Sequence, residues 1–359
     1  MESSVFVPDP AALDRALEGR TAADVAVLVC QGLRGPNPGS LLALCDAAAR
    51  RGLRDPALSV AEATLRFAVG DRERAESLVT GVLEAVPEHL PALALLAQFR
   101  LAAGDAASSR ELLSRVVDRF PDYPGAQATL ARLLFPGPHY REVLARIHVL
   151  LRPKTYLEIG VETGATLALA RTAEVAVGVD PAEAPTTVPL PAAARVVRTT
   201  SDAFFARETV ASAFQGRPVD LTFIDGMHWF EYALRDFVNA ERWASPDGVI
   251  LLHDCLPPTR VAALRERAST FWVGDVWKVL EVLLERRPDL AVSLVPAPPS
   301  GLVVVRKLDP TSTVLERAQG ELIERDRERA YPHEPGRWPA AYDVVRNDDT
   351  GLRRALGLA

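Results

Sequence analysis

Little in this chain points away from a reducing, aqueous setting. Three cysteines stand among its 359 residues, Cys30, Cys45 and Cys255, all in apolar or motif settings without paired spacing. That excludes a disulfide framework and a paired-cysteine zinc site, and the expectation is reduced thiols in a cytoplasmic protein. No apolar run approaches the ~18 residues that span a bilayer, so no membrane partner is expected. The start, Met1-Glu-Ser-Ser4, carries neither the basic nor the apolar region of a secretory signal. No block of lysine or arginine stands out, and the formal net charge is −6, which argues against a nucleic-acid partner. What is present is the 48% hydrophobic and 25% charged composition of a soluble globular chain, with enough apolar surface for real cores. At about 150 residues per domain, the length predicts two domains and an appendage.

The first third reads as helices. Segments 9–18, 21–33 and 40–51 have helical patterning, with Thr21 as an N-cap and Gly35-Pro36-Asn37-Pro38-Gly39 as a breaker. From Leu58 to Phe135 a repeat appears at an offset of 34. Gly70-Asp71 recurs as Gly104-Asp105, Pro87 as Pro121, Leu78 as Leu112, Val82 as Val116, Ala92 as Ala126 and Leu96 as Leu130. The period resembles the tetratricopeptide (TPR) repeat, a helix pair that buries its apolar face only by stacking on a neighbour. A helical-hairpin array without TPR identity would pattern in the same way. This part is taken as residues 1–135, and the resemblance implies a protein partner for it.

After Phe135-Pro-Gly-Pro138 and a bridging helix over about 139–151, short apolar strands alternate with helices. The strands are expected over 156–160, 175–180, 195–199, 219–225, 248–253, 291–295 and 302–307. Such alternation predicts a parallel sheet with helices on both faces, and ligands outside the carboxyl ends of its strands. The last two strands, joined by only 296–301, predict an antiparallel hairpin. Beyond Leu308 a tail follows, residues 309–359, with a charged helix over about 311–329. It is open to two roles, a lid over the site or self-association into a homo-oligomer.

Chemistry-bearing residues gather at the strand ends. The stretch 155–170 reads as strand, glycine turn and helix, with Gly160 and Gly164 four apart and Glu158 two before the first. This spacing is not the dinucleotide fingerprint. The second strand ends at Asp180, 20 residues after Gly160, where a carboxylate can accept from both hydroxyls of a ribose. The third ends in Ser201-Asp202, with an N-cap as the bland alternative. Asp225 and Asp254 end neighbouring strands and can share one hard divalent cation such as Mg²⁺. A metal-bound hydroxyl ionises more readily, and His228, three residues past Asp225, can take its proton as general base. The bland alternative is that the two carboxylates cap turns and His228 bonds locally. Lys278 and Asp275 open a helix, either at the mouth of a site or in solvent. His89, His139, His148 and His333 lack partner spacing and are expected to be structural.

Taken together, Glu158-Ile-Gly160, Gly178-Val-Asp180, Asp225-Gly-Met-His228-Trp-Phe-Glu231, His253-Asp254 and Gly274-Asp-Val-Trp-Lys278 resemble the class I S-adenosylmethionine (SAM) methyltransferases. The nearest type is the bacterial small-molecule family of sugar and antibiotic O-methyltransferases with the Asp-Gly-x-His signature, related to macrocin-type enzymes. The resemblance covers about residues 139–307. It implies a Rossmann-like seven-stranded SAM methyltransferase domain over 136–308, behind an all-α TPR-like domain. It further implies SAM held by Glu158, Gly160, Gly164, Asp180, Ser201 and Asp202, with a small hydroxylated acceptor. Two departures stand out: Glu162 occupies a position where glycine is common, and Cys255 follows the last carboxylate where metal-dependent relatives carry Asn or Asp. A TPR scaffold bearing a relic fold, or a SAM-fold enzyme of other, hydroxylase-like chemistry, are the alternatives.

Overall fold

The computed structural model describes residues 9–33, 37–183, 185–206 and 209–358. Residues 1–4 and, in the breaker, Gly35 and Pro36 lie outside this set. Asn37 caps the helix Pro38–Arg50 by accepting from the Ser40 N–H at 3.3 Å. The chain divides into two compact units, 1–126 and 127–359. No helix among the described residues is long and apolar enough to cross a membrane.

The first unit is helical throughout. Thr21 caps the helix Ala22–Gly32 in a capping box with Asp24, two orphan donors satisfied reciprocally. The 34-residue repeat is visible down to single hydrogen bonds. The helices Pro56–Ala68 and Arg72–Ala85 recur as Leu90–Ala102 and Ala106–Arg119. Asp71 N donates to Arg66 O at 2.9 Å, and Asp105 N to Arg100 O at 2.8 Å. Each aspartate then caps the helix it opens, at the Arg74 and Ser108 amides. The stacked rings of Phe67 and Phe99, 4.4 Å apart, join one pair to the next.

The second unit is built on a seven-stranded sheet: β1 (Thr155–Ile159), β2 (Val175–Val179), β3 (Ala194–Val197), β4 (Val219–Ile224), β5 (Ala244–His253), β6 (Ala291–Val295) and β7 (Leu302–Arg306). Their order is β3-β2-β1-β4-β5-β7-β6, parallel except for β7, which runs antiparallel to both neighbours. Period-two alternation sends Leu157, Ile159, Ile250 and Leu252 into one core, and Tyr156, Phe223, Leu251 and Val304 into the other. Helices Phe230–Arg242 and Trp277–Arg286 cover the first face, and helix Tyr140–Leu151 the second. The order reverses at β1/β4, which opens a crevice at their carboxyl ends.

Three expectations change. The Ala/Leu segment after Gly164 is no α-helix but turns and a single 3₁₀ turn, Leu167–Leu169. Strand β5 starts four residues earlier than Gly248, with a register shift opposite Val219 and Leu221 that absorbs the Ser-Pro-Asp-Gly run. The tail lies along the sheet: the Leu294 amide donates to the Asp343 carbonyl and its carbonyl accepts from the Val345 amide, both at 2.9 Å, in a bridge opposite Val344 beside β6, and helix Asp349–Leu356 buries Leu352 and Leu356. An edge strand with unpaired N–H and C=O groups is thereby covered.

Candidate active site at the carboxyl ends of the strands

A cavity of about 990 Å³ occupies the crevice. Its walls bring together most of the sequence-predicted residues: Gly160, Asp180, Ser201 and Asp202 on one side, Asp225, His228 and Asp254 on the other. Glu158 and Gly164 stand behind the wall. Glu158 is fully buried and binds the Tyr156 hydroxyl (2.6 Å) and the Thr166 hydroxyl (2.8 Å), so it tethers the loop from beneath. Burial pushes its carboxyl up to about 8 against the pull of those two bonds.

The loop itself is shaped by backbone constraints. Gly160 has φ +87°, and a Cβ there would meet the Asp225 carbonyl oxygen at 2.0 Å, so only glycine lets β1 and β4 end side by side. Glu162 also sits in the left-handed region, φ +46°, so the position where glycine is common keeps the glycine conformation without the residue. The Asp180 Oδ2 receives the amides of Val161 (2.8 Å) and Glu162 (2.9 Å), and its Oδ1 that of Ala182 (2.8 Å). Burial opposes its charge, but these bonds outweigh it and hold the carboxyl below its usual range. Three of roughly four lone-pair sites are used, which leaves room for one ligand hydroxyl rather than two.

Asp202 does not cap the helix Ser201–Ala206; the Thr200 hydroxyl does, receiving the Ala203 N–H at 3.2 Å. Asp202 is instead gripped by both arms of Arg235 (3.0 and 2.9 Å), which in turn lies 4.4 Å over the Tyr232 ring. Ser201 bonds the buried Asp236, whose carboxyl burial raises to about 7.

Opposite, two carboxylates interleave with two imidazoles. His228 Nε2 lies 3.0 Å from Asp254 Oδ2 and 3.6 Å from Asp225 Oδ1. His253 Nδ1 lies 3.1 Å from Asp225 Oδ1 and 3.3 Å from Asp254 Oδ1. Burial works against either imidazolium, but the two aspartates prevail and raise His228 to about 11 and His253 to about 10. Both carboxyls are held low in turn, against burial, by the histidines. Asp254 has φ +62°, a strained conformation of the kind that persists at ligand clamps.

The loop 256–276 aims His228. Its Nδ1 is 3.0 Å from the Trp272 carbonyl, an acceptor only, so Nδ1 carries the proton that donates there. The Asp275 amide donates to the His228 carbonyl (3.2 Å), and a Cβ on Gly274 (φ +62°) would sit 1.8 Å from that oxygen. Asp275 and Lys278 do not line a mouth. They are buried together (2.8 Å), and Asp275 also accepts from the Phe230 amide (2.6 Å) and Arg265 (3.1 Å). Glu231 is taken by Arg265 at 2.6 Å.

Sequence reasoning missed several wall residues. His139, read as structural, caps helix Tyr140–Leu151 and lines the cavity with Tyr140 and Arg141. Among the aromatic residues near the site, Trp272 faces the cavity while Trp277 and Phe230 are core. Of His253, Glu231 and water, which the sequence leaves open as the third partner of Asp225 and Asp254, His253 is the side chain that lies against both aspartates. The adjacency His253-Asp254 at a strand end was its signal, since a strand's last two residues can both reach one crevice.

Strand order, crevice and loop define a Rossmann-like methyltransferase fold behind a TPR-like helical region. Residues 157–255 match the family described as "Methyltransferase domain", and residues 66–133 match "Tetratricopeptide repeat". No curated protein matches the chain. Among solved structures, cofactor-bound Rv0187 from MTB is 17% identical with a TM-score of 0.36, over 54% of this chain and 97% of that one. An O-methyltransferase from Bacillus cereus in complex with SAH is 12% identical with a TM-score of 0.34, over 53% and 94%.

Proposed function

We propose that the chain is a SAM-dependent O-methyltransferase that methylates a hydroxyl of a small metabolite, such as a sugar or a natural-product scaffold. The observation that carries this reading is that a single cavity of about 990 Å³ joins the glycine loop and Asp180–Asp202 wall to the Asp225–His228–Asp254 wall. Small-molecule pockets run from about 300 to 1,000 Å³, so this one has room for a cofactor and an acceptor side by side. The methyltransferase-domain match over 157–255 spans both walls.

In this reading Gly160, Glu162 and Asp180 hold the cofactor's ribose side, and Ser201 and Asp202 its base, while Glu158 and Gly164 shape the loop. SAM supplies a methyl group on a sulfonium leaving group. The chain's own residues orient the acceptor in line and move its proton. His228 receives that proton at Nε2, because Nδ1–H is committed to the Trp272 carbonyl. Asp225 and Asp254 hold it protonated while their charge is uncompensated, so Nε2 would be open to that proton only with a cation on the two carboxylates. Asp225 and Asp254 fit a divalent cation, the first half-buried and the second buried, both charged and close to one another. Such a cation supplies a Lewis-acidic point that lowers the pKa of an acceptor hydroxyl. The helical repeats would dock a protein partner.

Calorimetric titration with SAM and with S-adenosylhomocysteine (SAH) tests the reading. Micromolar binding is expected, weakened roughly 10- to 100-fold by Asp180→Ala, which frees three backbone amides. In an acceptor screen, His228→Gln should retain SAH binding and lose about 10²–10⁴ in turnover. Absence of binding by either ligand would sink the reading.

A further inference from the structure

His253 stands where oxygen donors are usual around a hard ion, and three features make it a ligand-ready nitrogen. Its Nδ1 is 3.1 Å from Asp225 Oδ1 and 3.3 Å from Asp254 Oδ1, and the three donor atoms fall within 4.8 Å of one another. Donors held about 2.1 Å from one ion at right angles stand roughly 3 Å apart, so both nitrogen–oxygen edges suit one face of an octahedron. The ring cannot turn away, because Tyr140 packs on it at 4.0 Å between ring centres and Ser300 Oγ meets Nε2 at 3.3 Å. That hydroxyl spends its only proton on Asp254 Oδ1, so its lone pair accepts from Nε2–H and Nδ1 is left facing the carboxylates. An outer bond of this kind is what fixes the tautomer of a metal-binding imidazole. His253, Asp225 and Asp254 all line the cavity, so an ion has access.

We propose that His253 Nδ1 joins Asp225 and Asp254 as a third ligand, and that this mixed nitrogen–oxygen set selects a divalent transition ion over Mg²⁺. Mg²⁺ takes oxygen ligands and dehydrates reluctantly, whereas imidazole with carboxylate suits manganese, iron, cobalt or zinc. His228 stays outside the set: it faces the other Asp254 oxygen, Oδ2, and keeps its role as proton carrier. Cys255, a poor ligand for Mg²⁺, is then irrelevant; its thiol is buried against the His253 carbonyl at 3.5 Å. The task of the ion rests on the methyltransferase reading, but its binding rests on the donor set alone.

The test is electron spin-echo spectroscopy of the metal-stripped full chain titrated with Mn²⁺, with Mg²⁺ as competitor. Expected are coupling to one imidazole nitrogen and a preference for Mn²⁺ of about 100-fold. Growth on ¹⁵N-histidine should convert the coupling to that of ¹⁵N, which needs no variant. The coupling should survive His228→Gln and vanish in His253→Asp, where the preference for Mn²⁺ should fall at least roughly tenfold. Mn²⁺ bound without nitrogen coupling, coupling that survives His253→Asp, or no Mn²⁺ bound at all would each overturn the proposal. SAH titration of the same sample separates the two ideas. SAH bound without nitrogen coupling overturns the ligand set and spares the methyltransferase reading, and coupling without SAH binding does the reverse.

Discussion

At the scale of single residues, a line of buried polar groups runs from helix Tyr140–Leu151 to the glycine loop. His148 packs edge-on against Tyr156 (4.6 Å), and Tyr156 bonds Glu158, which holds Thr166. Both nitrogens of His148 lack a hydrogen-bond partner among the described residues, and burial lowers its pKa to about 4. A base with a depressed folded pKa is neutral in the native state, so acid works against folding. Stability is intact above the unfolded value of about 6.5 and lost as pH falls through 4. Glu158 acts in the opposite sense. Its carboxyl is raised to about 8, so its contribution is whole below about 4.5 and fades as pH climbs through 8. We expect His148→Leu to gain up to about 3 kcal/mol over wild type as pH drops from 6.5 to 4, at 1.36 kcal/mol per pKa unit. Urea unfolding at several pH values measures this, and a pH-independent difference between the two proteins would refute it.

At the scale of elements, the Gly274-Asp-Val-Trp-Lys278 run is a clamp rather than a mouth. Asp275 ties the start of helix Phe230–Arg242 to Lys278, and Lys278 Nζ also reaches the Arg327 carbonyl at the end of helix Val314–Asp326 (2.8 Å). Removing one partner of a buried pair leaves an uncompensated charge, which costs about 3–5 kcal/mol. Asp275→Asn should therefore be severely destabilised. Asp275→Asn combined with Lys278→Met should recover most of the loss, and a double-mutant cycle by thermal unfolding reads the coupling. A double variant no more stable than the single one would refute the clamp. The clamp also shows where the sequence stops speaking. The strands, the terminal antiparallel hairpin and the strand-end acids were legible, because burial on two faces, a short connection and ligand chemistry leave periodic and local marks. That Asp275 faces inward was not, since a charged pair at a helix start reads alike in solvent and in a core. The helix expected after Gly164 failed for a related reason. Ala and Leu favour helix locally, but the Asp180 carboxylate just past β2 and the Thr187 amide beyond it hold the loop at Val161, Glu162 and Thr163 at 2.8–2.9 Å.

At the scale of the molecule, every residue that walls the cavity falls between His139 and Pro299, within the unit 127–359. That unit has its own pair of cores about one sheet, and its tail covers the β6 edge. Among the described residues the repeats add no wall residue to the cavity, so binding and chemistry need not depend on them. A fragment spanning 127–359 should therefore fold cooperatively and bind SAH within about threefold of the full chain. The fragment must begin before Ala131, because Ala131 and Phe135 belong to the core under the sheet. A start at residue 136 deletes both, and losing a buried Phe alone costs about 3–5 kcal/mol. Calorimetry on the two fragments and the full chain decides the point. Equal SAH binding by 127–359 and the full chain, with the shorter fragment unfolded, is the expected result. Loss of SAH binding by a folded 127–359 would instead give the repeats a part in the site that the cavity walls do not show.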